Sequence, residues 1–177
     1  MNIHELYESR YGQWQMPKYK DIPNIGLYSD QTIQYINDTL SPLFISGKEN
    51  FLTTAMINNY VKIGLIKPTQ KKRYDRDQIA YLMVVCVFKQ LYTIPQIAQL
   101  ISEQISLFKT EQAYNYFATE LEQAILYSFN FSDTPWLDST VTYQEERLYV
   151  RSSVMAFAQK LLVESYLQMK IAEKGNE

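Results

Sequence analysis

The sequence predicts a mainly α-helical fold: a helix-turn-helix with a small two-stranded wing, plus a C-terminal helical part. Three observations predict it. Apolar residues recur at helical spacing in several segments, and those segments open on capping residues. From Ser29 onward the elements read helix, loop, helix, short strand, basic turn, short strand, helix. Composition agrees: 5 Gly and 6 Pro are too few for a many-turned all-β fold, while 46% apolar residues suffice for a packed core.

Residues 1–28 contain Gly12, Pro17, Pro23 and Gly26 and show no clear period. They read as an irregular arm that packs through Tyr7, Tyr11, Trp14 and Tyr19. Ser29 or Asp30 caps a helix to about Thr39, with Ile33, Ile36 and Leu40 on one face. Ser41 and Pro42 end it, and residues 46–50 read as a loop. Thr53 or Thr54 opens the next helix, which carries Met56, Ile57, Tyr60 and Val61. It stops at Gly64, because glycine accepts the left-handed backbone that follows a helix. Residues 65–67 are expected as a strand, 68–71 as a turn and 72–74 as the returning strand.

Asp75 and Gln78 form a capping box for a helix to about Leu91. Thr93 and Gln96, with Pro95 in the first turn, repeat it for a helix to about Leu107. Helices over about 111–129 and 139–173 follow, with a loop at 130–138 between them. In the last helix Val141, Leu148, Met155, Leu162 and Met169 recur every seven residues beside a stripe of Val150, Val154, Phe157 and Leu161. Two stripes imply burial on both sides, inside one chain or against a partner. The chain thus divides into an arm (1–28), a winged helix-turn-helix DNA-binding domain (29–107) and a C-terminal helical dimerisation or sensing region (108–177).

Charge points to one stretch. The chain carries a net −2, yet residues 48–77 hold seven basic and three acidic side chains, a net of +4 that leaves −6 for the rest. On the helix opened by Thr53, with Met56, Ile57 and Tyr60 inward, Thr54, Asn58, Asn59 and Lys62 are left facing outward. Asparagine suits bidentate pairing with adenine, and lysine suits guanine or phosphate. A basic turn beside such a helix can grip phosphates, the main source of nucleic-acid affinity. The candidate DNA-binding residues are Thr53, Thr54, Asn58, Asn59, Lys62, Lys67, Lys71, Lys72 and Arg73. The competing reading is a solvated surface and a solvated basic loop.

The stretch Met56-Ile-Asn-Asn-Tyr-Val-Lys-Ile-Gly-Leu-Ile-Lys-Pro68 resembles the recognition helix and first wing strand of MerR-type regulators. Arg73-Tyr-Asp-Arg-Asp-Gln-Ile-Ala-Tyr-Leu82 resembles their returning strand and next helix, and Thr93-Ile-Pro-Gln-Ile-Ala-Gln-Leu-Ile101 the helix after it. A closer likeness, through Leu52-Thr-Thr-Ala-Met-Ile-Asn-Asn-Tyr-Val-Lys62, is to an uncharacterised bacterial domain-of-unknown-function family with a MerR-like winged helix-turn-helix. The resemblance implies that Thr53 is a cap able to donate to phosphate, that Asn58 and Asn59 face the groove, and that Lys62 and Lys72 contact backbone. It gives Tyr60, Gly64, Leu65 and Tyr74 structural positions. Asn58 stands where the MerR pattern has Arg, the loop before the helix is longer, and the wing is shorter and lacks Asn-Gly. Neither base preference nor promoter twisting carries over.

Other chemistries find little support. One His (His4) and one Cys (Cys86) cannot build a His- or Cys-rich metal site or a Ser/His or Cys/His nucleophile. Cys86 lies in an apolar run and reads as a core residue. Glu145 and Glu146 point about 100° apart on a helix, a poor acid–base pair. Glycine is too scarce for a phosphate loop. No catalytic residue and no cofactor is expected. No stretch reaches about 18 apolar residues and no signal pattern opens the chain, so a cytoplasmic protein without membrane contact is expected. The expected function is DNA-binding transcriptional regulation, with double-stranded DNA as partner, a homodimer through the C-terminal helices, and an unknown small-molecule effector. The alternatives are a protein-interaction module on the same scaffold, and a small-molecule-binding protein using aromatics such as Tyr114, Tyr116, Phe117, Tyr127, Phe129, Phe131 and Trp136.

Overall fold

Helix dominates the structure, a computed structural model that describes residues 2–43, 50–130 and 145–174. In chain order the helices are α1 (Ile3–Arg10), α2 (Ser29–Leu40), α3 (Thr54–Lys62), α4 (Arg76–Phe88), α5 (Ile94–Leu107), α6 (Thr110–Asn130) and α7 (Glu145–Lys174). The expected loops at 46–49 and 131–138, the expected start of the last helix at Ser139, and the residues Val141, Phe131 and Trp136 lie outside the described residues.

Three of the capping signals sit where the sequence puts them, whereas α2 is capped by Tyr28 rather than Ser29 or Asp30, the Tyr28 amide donating to Gln31 Oε1. Thr53 is the N-cap of α3 and accepts from the Met56 amide. Asp75 and Gln78 form the capping box of α4, and Thr93 and Gln96 that of α5. Helix α3 closes on Gly64 at φ +76°, the Gly64 amide donating to the Val61 carbonyl and the Leu65 amide to Tyr60. This is a Schellman closure, which a left-handed glycine makes possible. Helix α4 stops at Phe88 rather than about Leu91, because the Gln90 and Leu91 amides turn back three residues to Val87 and Phe88.

The two-stranded wing is not present: among the described residues there is no β-strand. The backbone shows why. The amides of Leu65 and Ile66, expected on the first strand, both donate to the Tyr60 carbonyl and so are spent closing α3. Tyr74, expected on the second, pairs instead with Leu27 of the N-terminal arm, in a single antiparallel bridge. What remains of the wing is one tight turn, in which the Arg73 amide donates to the Gln70 carbonyl at 3.0 Å and Lys71 and Lys72 take φ values of 51° and 60°.

The arm is not irregular throughout. It opens with α1, whose Asn2 and Glu5 make a capping box. Tyr7 and Tyr11 pack on Phe129 of α6 at 6.1 and 4.9 Å between ring centroids. Beyond α1 the arm is laced to the body: Trp14 Nε1 donates to the Thr39 carbonyl, the Met16 amide to Glu122, and the Tyr19 amide to Asn115.

Helices α6 and α7 run parallel. Arg147 stacks on Tyr116, Arg151 pairs with Glu120 and Gln159 donates to Ser128, three contacts that share one register. On α7 the stripe Val150, Val154, Phe157 and Leu161 is buried. Of the seven-residue set, Leu162 and Met169 pack against the protein's own core, while Leu148 is exposed. The buried residues run from Leu6 of α1 to Leu161 of α7 in one contiguous cluster.

Candidate nucleic-acid interface

Helix α3 is amphipathic, and burial sorts its residues. Ile57 and Tyr60 are buried and Met56 is half-buried, whereas Thr54, Asn58, Asn59 and Lys62 are exposed. Thr54, Asn58 and Lys62 stand four residues apart and share one face. Asn59 lies on the next row, at the rim of a groove shared with Tyr60, Thr93 and Ile94. Thr53 is half-buried at the cap; its oxygen takes the Met56 amide, which leaves the hydroxyl proton to donate outward.

Two contacts that the sequence does not advertise hold α3 in place. Asn37 of α2 presents its amide to Leu52 as a strand neighbour would: Oδ1 accepts from the Leu52 amide and Nδ2 donates to the Leu52 carbonyl, each at 2.9 Å. From the C-cap of α4, Lys89 donates to the Phe51 carbonyl and to Met56 Sδ. Neither residue could be picked out by spacing, since each reaches across a loop to a backbone group.

The basic turn adjoins the end of α3. Lys67, Lys71, Lys72 and Arg73 are exposed. Gly64 and Lys67, just past α3, border one groove of about 610 Å³ with Gln70 and Arg73 of the turn and Ala98 and Ser102 of α5. Among the described residues no carboxylate forms an ion pair with Lys62, Lys67, Lys71 or Lys72. Arg73 is held differently. Its guanidinium lies 4.8 Å from the Tyr28 ring centroid and bonds the Tyr28 hydroxyl at 3.2 Å. Gly26 makes this approach possible, because a Cβ there would lie 2.9 Å from Arg73 Cβ. Arg76, although part of the basic stretch, is taken up by the fold: Nε donates to the Ile22 carbonyl and the group stacks on Tyr19.

Elsewhere, Cys86 is fully buried and burial pushes its thiol up to about 12, so it is a poor nucleophile. Tyr149 bonds Glu145 at 2.7 Å on the surface of α7. Among the described residues no group of three or more His, Cys, Asp or Glu side chains is placed to hold a metal ion. No helix among them is long and apolar enough to cross a membrane.

The arrangement is that of a surface able to meet a polyanion. Helix α3 exposes Asn58 and Asn59, and the turn that follows it exposes Lys71 and Lys72, which have no ion-pair partner among the described residues. No curated protein and no solved structure matches the chain. Residues 17–117, more than half the chain, match the family model described as Domain of unknown function (DUF1836), and the span takes in the end of the arm, α3 and the turn; the chain belongs to that family.

Proposed function

We propose that this protein is a DNA-binding transcriptional regulator of the MerR-like type, acting in the cytoplasm. Helix α3 reads bases through Asn58 and Asn59, and the turn at Lys71 and Lys72 grips the phosphates. The observation that carries this reading is the set of exposed cations at residues 62, 67, 71, 72 and 73, none with an ion-pair partner among the described residues, together with exposed asparagines on α3. Phosphate contacts give affinity and orientation, and base-edge contacts give sequence preference. The likeness of residues 56–68 to MerR recognition helices supports the same assignment. Thr53 and Thr54 at the start of α3, Lys62 in its last turn on the Asn58 face, and Lys67 just past its end complete the surface.

A homodimer fits this function. Val163, Tyr166, Leu167 and Ile171 are 56%, 48%, 53% and 72% exposed on one face of α7. A second copy laid antiparallel about Leu167 sets Val163 against Ile171 and Glu164 against Lys170. A two-fold dimer carries two copies of α3, and dimeric helix-turn-helix regulators bind half-sites about one DNA turn apart. Leu167→Glu should convert the dimer to monomer in sedimentation equilibrium, and a parent that sediments as a monomer refutes the pairing.

The test of the function is selection of bound sequences from a random duplex library by the purified chain. Enrichment of a common motif supports it. Failure to retain any duplex at low salt refutes it and favours a protein-interaction module on the same scaffold.

A further inference from the structure

We propose that the N-terminal arm is part of the DNA surface, with Tyr28 as the positioning residue that aims the Arg73 guanidinium at one backbone phosphate. This rests on the DNA-binding reading above and adds a third element to α3 and the turn. Of the exposed cations at residues 62, 67, 71, 72 and 73, only the last is an arginine. Its guanidinium lies 4.8 Å from the Tyr28 ring centroid, and Nη2 donates to the Tyr28 hydroxyl at 3.2 Å. Both side chains stand on the surface, Tyr28 being 46% exposed.

The backbone sets this pair up. Leu27 and Tyr74 exchange both of their hydrogen bonds, so Tyr28 and Arg73 are the next opposed pair in the same antiparallel register, the kind whose side chains lie closest. Gly26 leaves room for the arginine stem, since a Cβ there would lie 2.9 Å from Arg73 Cβ. The nearby carboxylates do not claim the guanidinium. Asp75 Oδ1 accepts the Gln78 amide and Asp77 Oδ1 accepts from the Tyr19 hydroxyl, and neither forms an ion pair with Arg73.

The chemistry of the pair selects phosphate. Tyr28 covers one face of the guanidinium and takes one N–H, and the remaining N–H groups in its plane form the fork that grips two phosphate oxygens. The hydroxyl is neutral, so the full positive charge is left for the phosphate. An arginine gives up rotamer freedom when it docks, and one already stacked on a ring gives up less. Arg73 belongs to the turn and not to the base-reading helix, and with Gly26 of the arm it borders the groove shared with Gly64 and Lys67 just past α3. Phosphate contacts of this kind serve every sequence alike.

The experiment titrates the full chain with a random duplex and with the best selected duplex over a salt series, read by fluorescence anisotropy. Tyr28→Ala should weaken both duplexes alike by about fivefold, the loss expected for one exposed stack and one hydrogen bond to a charged group. Tyr28→Phe keeps the ring and should lose less. Arg73→Ala should weaken both duplexes and shallow the log–log salt slope by about 0.9, whereas Tyr28→Ala, which keeps the charge, should stay closer to the parent slope. Adding Tyr28→Ala to Arg73→Ala should change nothing further. If Tyr28→Ala does not fold, Arg73→Lys carries the test: it keeps the charge, loses the fork and should bind more weakly than the parent. The inference is overturned if Tyr28→Ala, or Arg73→Lys in its place, binds as the parent does. It is equally overturned if Tyr28→Ala weakens binding as much without Arg73 as with it, or weakens the selected duplex alone. In each of these cases the parent still binds and the DNA reading stands; a parent that retains no duplex at low salt overturns that reading and this one together.

Discussion

Tyr74 and Leu27 exchange both of their backbone hydrogen bonds, the Tyr74 amide to the Leu27 carbonyl at 2.8 Å and the Leu27 amide to the Tyr74 carbonyl at 3.0 Å. The partner that a wing strand would need is thereby supplied by the N-terminal arm. The basic turn is thus anchored by the N-terminal arm, and its tip carries Lys71 and Lys72.

That tip is held in a conformation its residues dislike. Lys71 and Lys72 both have positive φ within a hydrogen-bonded four-residue turn, a geometry that Asn-Gly adopts far more readily. A left-handed non-glycine residue costs about 1–2 kcal/mol. Lys71→Asn combined with Lys72→Gly should therefore raise stability by about 1 kcal/mol in urea melts. The same double variant should bind all DNA sequences more weakly. A gain in stability with a loss of affinity separates a functional role for these lysines from a structural one.

The Asn37 clasp should be needed for the placement of α3. Asn37→Ala removes both bonds to Leu52 and should cost about 1–3 kcal/mol. Amide exchange of Leu52 should quicken in this variant while that of the α6 interior stays slow. A uniform change in both would refute a local role.

Cys86 gives a pH dependence with a definite sign. An ordinary thiol titrates near 9.0, and burial holds this one up to about 12. As pH rises through 9.0 the unfolded chain loses its proton first, so the unfolded state binds fewer protons and stability falls. The contribution is fully present below 9.0 and is lost towards 12. Buried tyrosines add the same sign at still higher pH, Tyr60 being raised to about 12. Urea midpoints should thus drop between about pH 8.5 and about pH 10, and less so in Cys86→Ala. An identical slope in both proteins would contradict this.

Much of this was legible in the sequence. Caps at Thr53, Asp75 and Thr93 are local chemistry, each completed by an amide within three residues, and all three fall where the pattern puts them. The outward face of α3 follows from helical spacing and is exposed as expected. That the wing is absent is not legible in the sequence, because strand pairing is not local. Residues 65 and 66 look extended and apolar, yet Gly64 turns their amides back onto Tyr60, and the bridge to Leu27 spans the whole of α2 and α3. The arm's helix was hidden by its weak amphipathic pattern, since of α1 only Leu6 is buried. The seven-residue spacing on α7 was real but faces the protein's own core at Leu162 and Met169; the exposed row lies one position along.

The most direct measurement of the central claim is DNA affinity against salt for three proteins: the parent, Asn58→Ala with Asn59→Ala, and Lys71→Ala with Lys72→Ala. Each is titrated with the best selected duplex and with random duplex. The asparagine variant should lose about 1–3 kcal/mol per specific contact on the selected duplex and little on random DNA, with its salt slope unchanged. The lysine variant should weaken both duplexes alike and shallow the log–log slope by about 0.9 per lost phosphate contact. All four positions are exposed, so neither variant should shift stability by more than about 0.5 kcal/mol beyond relief or strain at the turn. If both variants, properly folded, bind both duplexes as the parent does, then α3 and the turn are not the DNA-binding surface.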